Sequence, residues 1–98
     1  MKTASLSVQF DDFKTAHLAR GFDEVIERQW APHTVLAEHT HPFAVEALVV
    51  QGEMWLTCGS QTRHLREGDH FTLEAEVLHA ERYGAQGATY WVARRNLR

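Results

Sequence analysis

Glu38-His39-Thr40-His41-Pro42-Phe43-Ala44-Val45-Glu46-Ala47-Leu48-Val49-Val50-Gln51-Gly52 is the stretch on which the reading of this sequence turns. Side chains alternate along a β-strand, so His39 and His41 leave the same face, with Cα atoms about 6.5–7 Å apart. Two imidazoles at that separation can both reach one metal ion at about 2.0–2.2 Å. Pro42 ends the strand, and a short turn brings the chain back to Glu46 at the start of the next. An antiparallel neighbour lies about 5 Å away, so Glu46 can offer a carboxylate to the same point. His79 comes much later, on a strand that can join them only in a closed or folded-over sheet.

The flanking sequence supplies such a sheet. Upstream, residues 24–30 are rich in Val, Ile and Trp and stop at Ala31-Pro32, and residues 35–41 stop at Pro42. Downstream, residues 44–51 stop at Gly52, 54–58 at Gly59-Ser60 and 62–65 at Glu67-Gly68-Asp69. Residues 70–73, 77–83 and 88–94 complete the set, with 84–87 as the last turn. Short strands punctuated by Gly and Pro at this spacing read as an all-β sandwich or barrel. The run 88–94 has aromatic and β-branched residues throughout. It is expected to pack on both faces, against the core on one and a partner subunit on the other. One short helix is expected before the strands, capped by Asp11 or Asp12 and closed by Gly21. Residues 4–10, ahead of it, are expected to form a swapped or bridging strand.

Bulk composition fits one domain spanning residues 1–98, with the barrel core at about 22–94. Of the 98 residues, 44% are hydrophobic and 23% charged, which argues against disorder. The formal net charge of −3 argues against nonspecific nucleic-acid binding, which needs a basic footprint. A single cysteine, Cys58, excludes an intrachain disulfide. The N-terminal residues do not read as a signal peptide and no apolar run is long enough to span a membrane, so a cytoplasmic protein is expected. Histidine stands out, with seven residues, several close together.

The order His39-x-His41-x4-Glu46-x5-Gly52, then Gly68-Asp69 and His79, resembles the two motifs of the cupin superfamily. Arg66-Glu67-Gly68-Asp69 before Phe71-Thr72-Leu73 is similar to the turn between those motifs. The resemblance covers about residues 22–94. It implies an all-β, cupin-type antiparallel β-barrel of jelly-roll character with one short N-terminal helix. It also implies one divalent metal ion (Fe, Mn, Ni, Co or Zn) held by His39, His41, Glu46 and His79. The second motif departs from the family pattern at Glu74 and Glu76, where proline and glycine are usual. A Glu in place of glycine must avoid or tolerate a positive φ.

Phe43, Trp55 and Tyr83 are the expected pocket-lining residues, and no residue is singled out as catalytic. His17, His33 and His64 are expected to face solvent, and His70 to begin a strand. Cys58 is expected to be a small buried apolar residue. Cupin folds carry many chemistries, so the fold does not select the reaction. The leading expectation is a metal-dependent enzyme (dioxygenase, isomerase or lyase) acting on a small polar organic molecule. The alternative is a non-catalytic module that binds or senses a small ligand. A homodimer paired through a sheet edge is expected, with no nucleic-acid or membrane partner.

Overall fold

The structure, a computed structural model, describes residues 2–96, with side chains from Phe10 onward. The chain forms helix α1 (Lys2–Ala19) and six strands: β1 (Glu24–Trp30), β2 (Val35–His39), β3 (Phe43–Cys58), β4 (Gln61–Arg66), β5 (His70–Leu73) and β6 (His79–Asn96). All pairings are antiparallel. The expectation of an antiparallel, mostly β fold with an N-terminal helix therefore holds.

Two long strands organise everything else. β3 and β6 pair from Phe43↔Asn96 through to Thr57↔Ala80, with register shifts between Val49 and Gln51 and between Gly52 and Met54. On one side of these bulges the sheet runs β1, β6, β3, β5; on the other it runs β2, β6, β3, β4. Each of the four outer strands is paired on one side only among the described residues, so the hydrogen-bonded sheet does not close into a barrel. It is a folded-over sheet with the core between its two halves.

The positions read as turns at Gly52 and at residues 84–87 lie instead inside β3 and β6. Glycine bends these strands without ending them. Gly52 has φ +79°, and a Cβ there would stand 2.1 Å from the Gly87 carbonyl oxygen. Gly87 has φ +68°, and its Cβ would stand 2.2 Å from the Trp30 carbonyl oxygen. A side chain at either position would meet backbone as well as an unfavourable φ.

The inward faces of β3, β4, β5 and β6 bury Val45, Ala47, Val49, Met54, Leu56, Leu65, Phe71, Leu73, Tyr83, Tyr90 and Val92 in one cluster. Cys58 packs against this cluster as a partly buried residue. Burying each large apolar side chain contributes roughly 1.5–3 kcal/mol before entropic costs.

A second, smaller cluster on the outer face joins Phe22, Val25 and Ala93 to Phe10 and Phe13 of α1. Trp91 meets Phe10 at 5.4 Å and Phe13 at 5.8 Å between ring centroids. β6 is thus buried on both faces, as its composition suggests, but the chain's own helix supplies the outer cover. Helix α1 also begins far earlier than Asp11, so residues 4–10 are helical and not a bridging strand. Phe10, Phe13 and His17 recur at helical spacing, and packing of that stripe on β6 and Phe22 favours the helix. Gly21, at φ +95°, follows the helix as expected.

Candidate metal centre

β2 and β6 pair with His39 directly opposite His79. His41 lies just beyond β2, where its carbonyl accepts the Glu76 N–H at 2.8 Å. Glu76 holds φ +65° to make this contact, so the Glu in the glycine position does adopt the left-handed backbone. The three imidazoles converge, with ring centroids 4.3 Å apart for His39–His79, 4.7 Å for His41–His79 and 5.2 Å for His39–His41. One donor atom from each lies within 4.8 Å of the other two.

The hydrogen bonds fix which nitrogens are free. Nδ1 of His39 donates to the Ala37 carbonyl at 2.7 Å, and Nδ1 of His79 donates to the Val77 carbonyl at 2.9 Å. A carbonyl only accepts, so Nδ1 carries the proton in both, and in the neutral ring Nε2 keeps its lone pair. His79 Nε2 is buried without a hydrogen-bond partner. Backbone carbonyls commonly orient metal-bound imidazoles in this way. Burial, reinforced by His79 and His39 and by Arg94 and Arg28, lowers the His41 pKa to about 4. His41 is therefore neutral near pH 7. An orphaned buried nitrogen among three converging imidazoles fits a divalent transition metal.

Glu46 does not join them. Phe43, Val45 and Ala47 turn inward, so Glu46 faces out towards α1. Its carboxylate accepts from both Arg20 Nη atoms, at 3.1 and 2.9 Å, and lies 3.1 Å from His17 Nε2. The Arg20 hydrogen bond, assisted by His17, lowers the Glu46 pKa against a smaller opposing effect of burial. His17 is correspondingly not a solvent-facing residue; its side chain is only 12% exposed.

A different carboxylate stands at the histidines. Glu81 is 7% exposed, and its Oε2 lies 3.3 Å from His79 Nε2 and 3.7 Å from His39 Nε2. Its Oε1 accepts the Tyr83 hydroxyl. Spacing was the available signal: His79, Glu81 and Tyr83 alternate along one strand and share its inward face.

A cavity of about 220 Å³ opens beside the cluster, lined by His39, His41, Phe43, Glu81, Tyr90, Arg28 and Arg94 among others. Phe43, the expected lining residue, stacks on His41 at 4.8 Å. Tyr83 lies behind the cavity, stacked on Trp30 at 5.3 Å. Burial, followed by the charge and hydrogen-bonding effects of Tyr90 and Glu81, pushes the Tyr83 pKa up, so its hydroxyl remains a donor. Trp55 is elsewhere: it sits on the outer face, stacked on His64 at 4.5 Å and covered by Arg82 at 4.0 Å. Arg28 and Arg94 also line the cavity, and no motif in the sequence marks either. Each is spaced far from the histidines in sequence, and only the β1–β6 pairing, Glu24↔Arg94 onward, brings them to the cavity.

The folded-over antiparallel sheet and its inward histidine cluster define a small cupin domain. Within that class the chain belongs to the AraC-like ligand binding domain family, whose profile matches residues 21–94. Comparison with curated proteins returned no match. Among solved structures, KdgF from Halomonas sp. is 19% identical with a TM-score of 0.67, covering 76% of this chain and 68% of its own. The DMSP lyase DddQ from Ruegeria pomeroyi DSS-3 is 23% identical with a TM-score of 0.63; 74% of this chain aligns with 36% of that one. An RmlC-like cupin from Shewanella frigidimarina NCIMB 400 is 18% identical with a TM-score of 0.62, covering 71% of this chain and 63% of its own. These likenesses establish the fold. No helix among the described residues is long and apolar enough to cross a membrane.

Proposed function

We propose that His39, His41 and His79 hold one divalent metal ion and that the domain is a metal-dependent enzyme acting on a small organic acid bound in the adjoining cavity. The convergence of three imidazole donors within 4.8 Å, two of them, His39 and His41, lining the cavity, carries this reading. Fe, Mn, Ni, Co and Zn all suit the donor set, and such an ion supplies Lewis acidity to an oxygen of the bound molecule.

The rest of the site acts on the substrate directly. Arg28 and Arg94 give the cavity two cations, and Nε of Arg94 is buried without a hydrogen-bond partner. A carboxylate of the substrate is the natural acceptor for them. Phe43, Val45, Phe71, Leu73 and Val92 form an apolar wall that excludes water from the rest of the molecule. Likeness to a DMSP lyase supports an enzymatic use of this fold but not any particular reaction.

A second reading draws on the family description, an AraC-like ligand binding domain. Here the same cavity takes the same class of acid and turns nothing over. Metal-loaded protein incubated with a panel of small hydroxy-, keto- and dicarboxylic acids, with and without O₂, separates the two. Product formation establishes the enzyme; saturable binding with no product establishes the sensor. A cytoplasmic homodimer is part of both readings, with the one-sided outer strands of the sheet as the pairing edges.

A further inference from the structure

We infer that Glu81, from β6, is the carboxylate ligand of this centre, in place of the Glu46 that the sequence motif points to. The inference rests on the metal-binding reading above and specifies its fourth protein ligand. Its basis is the placement of one buried carboxylate oxygen against the Nε2 atoms of two of the three histidines. His79 Nδ1 donates to the Val77 carbonyl, which turns Nε2 inward, where it is buried with no hydrogen-bond partner. The nearest charged atom is Glu81 Oε2, 3.3 Å away but not aligned as a hydrogen bond. His39, whose Nδ1 donates to the Ala37 carbonyl, likewise points Nε2 inward, 3.7 Å from the same oxygen. Two imidazole nitrogens and one carboxylate oxygen thus converge on one point, the donor types and spacing that a divalent transition metal takes.

Burial adds to the argument. A carboxylate only 7% exposed is costly unless a cation or donors compensate it. Among the described residues, the ion-pair partners of Glu81 are these two imidazoles, and no Arg or Lys bridges to it. Tyr83 takes Oε1 alone, which holds the carboxylate in place and leaves Oε2 aimed at the histidines. Glu46, in contrast, has both oxygens engaged by Arg20 and His17 on the other face of the sheet. Withdrawing it to the metal would mean turning β3 over.

The test is Co(II) binding to metal-free full-length protein, followed by titration calorimetry and by the visible absorption of the bound ion. Wild type, Glu81→Gln, Glu46→Gln and Tyr83→Phe are compared, with circular dichroism to confirm folding. Glu81→Gln is expected to weaken Co(II) binding at least a hundredfold and to shift the absorption bands. Tyr83→Phe, which removes only the support of the carboxylate, is expected to weaken binding about tenfold, at the lower end for such outer partners. Glu46→Gln is expected to match wild type in affinity and spectrum. A folded Glu81→Gln protein with unchanged affinity and spectrum overturns the inference while leaving the three-histidine reading intact. Should Glu81→Gln fail to fold, an unchanged Tyr83→Phe overturns it equally. Wild type that takes up no Co(II), Zn, Mn, Ni or Fe overturns the metal reading itself.

Discussion

Arg20, just after α1, grips Glu46 of β3 with both prongs of its guanidinium, Nη1 to Oε1 at 3.1 Å and Nη2 to Oε2 at 2.9 Å. His17 completes the contact from the preceding helical turn. The carboxylate that a sequence motif offers to a metal is thereby committed to holding the helix on the sheet. The Glu46 pKa is lowered in the folded protein, first by the Arg20 hydrogen bond. A lowered carboxyl pKa means that the contribution to stability is complete above the unfolded value, about 4.3, and is lost as pH falls through the folded one. Glu46→Gln should therefore melt slightly below wild type at pH 7, with the gap closing below about pH 4. Because Arg20 is 53% exposed the gap at pH 7 is small, and melting curves from pH 3 to 7 measure it. A gap that stays constant across that range would contradict the assignment.

Replacing His41 or His79 with alanine should abolish metal uptake. Metal at a free concentration of a hundred times its dissociation constant stabilises the native state by about 2.7 kcal/mol, so added metal should raise the wild-type melting temperature and leave both variants unmoved. Metal-free His79→Ala should also melt below metal-free His41→Ala. His79 is 1% exposed, and truncating it opens a hole in packed structure, whereas His41 borders the cavity. Elemental analysis and thermal melts of the three proteins check both statements.

The two arginines of the cavity should discriminate by charge. Removing a charged hydrogen-bond donor costs about 1.5–3 kcal/mol, so Arg28→Gln and Arg94→Gln should each weaken a bound small acid by roughly tenfold to a hundredfold. Affinity for the corresponding neutral amide should change little. Arg94 also lies 3.3 Å from Glu24 and over the Phe43 ring at 4.8 Å, so its variant needs a stability control. Calorimetry with matched acid and amide ligands reads the difference; equal losses for both would remove the electrostatic argument.

Trp55→Ala should leave metal and ligand affinity unchanged, since the indole stacks on His64 outside the cavity. Binding measured beside the arginine variants provides the check, and a loss comparable to theirs would place Trp55 in the site after all.

Gly52→Ala should be among the most damaging small substitutions in the chain. The left-handed backbone costs about 1–2 kcal/mol for a residue with a Cβ, and the clash with the Gly87 carbonyl adds a further 1–3 kcal/mol or so. Urea denaturation should show a loss of roughly 2–5 kcal/mol. A loss below 1 kcal/mol would mean that the β3–β6 bulge relaxes freely.

Much of the sheet was legible. β1 and β5 begin and end where Trp30-Pro32 punctuation and the turn at Gly68-Asp69 imply. The bends were harder: glycines that look like strand ends are bulges in continuous strands, because ladder hydrogen bonds resume beyond them. Helix α1 is longer than its sequence signals imply, because only its second half carries cap and termination signals, while contacts to Trp91 and Phe22 establish its packed face.

The sequence by itself determined the class of fold and the convergence of His39 and His41, because alternation along one strand is a local property of the backbone. It also marked His79, through its place in the second motif. Which carboxylate faces those histidines was decided only by tertiary structure. Between His41 and Glu46 the chain turns from β2 into β3, and the parity across that turn depends on which face of β3 the core takes. Val45, Ala47 and Val49 are buried inward, so Glu46 points out to Arg20, and a shift of one residue would have reversed every one of them. Opposite, the β2–β6 register that sets His39 against His79 carries Glu81, two residues on, to the same inward face. Register and core packing are global properties, settled by what the whole chain can bury at once.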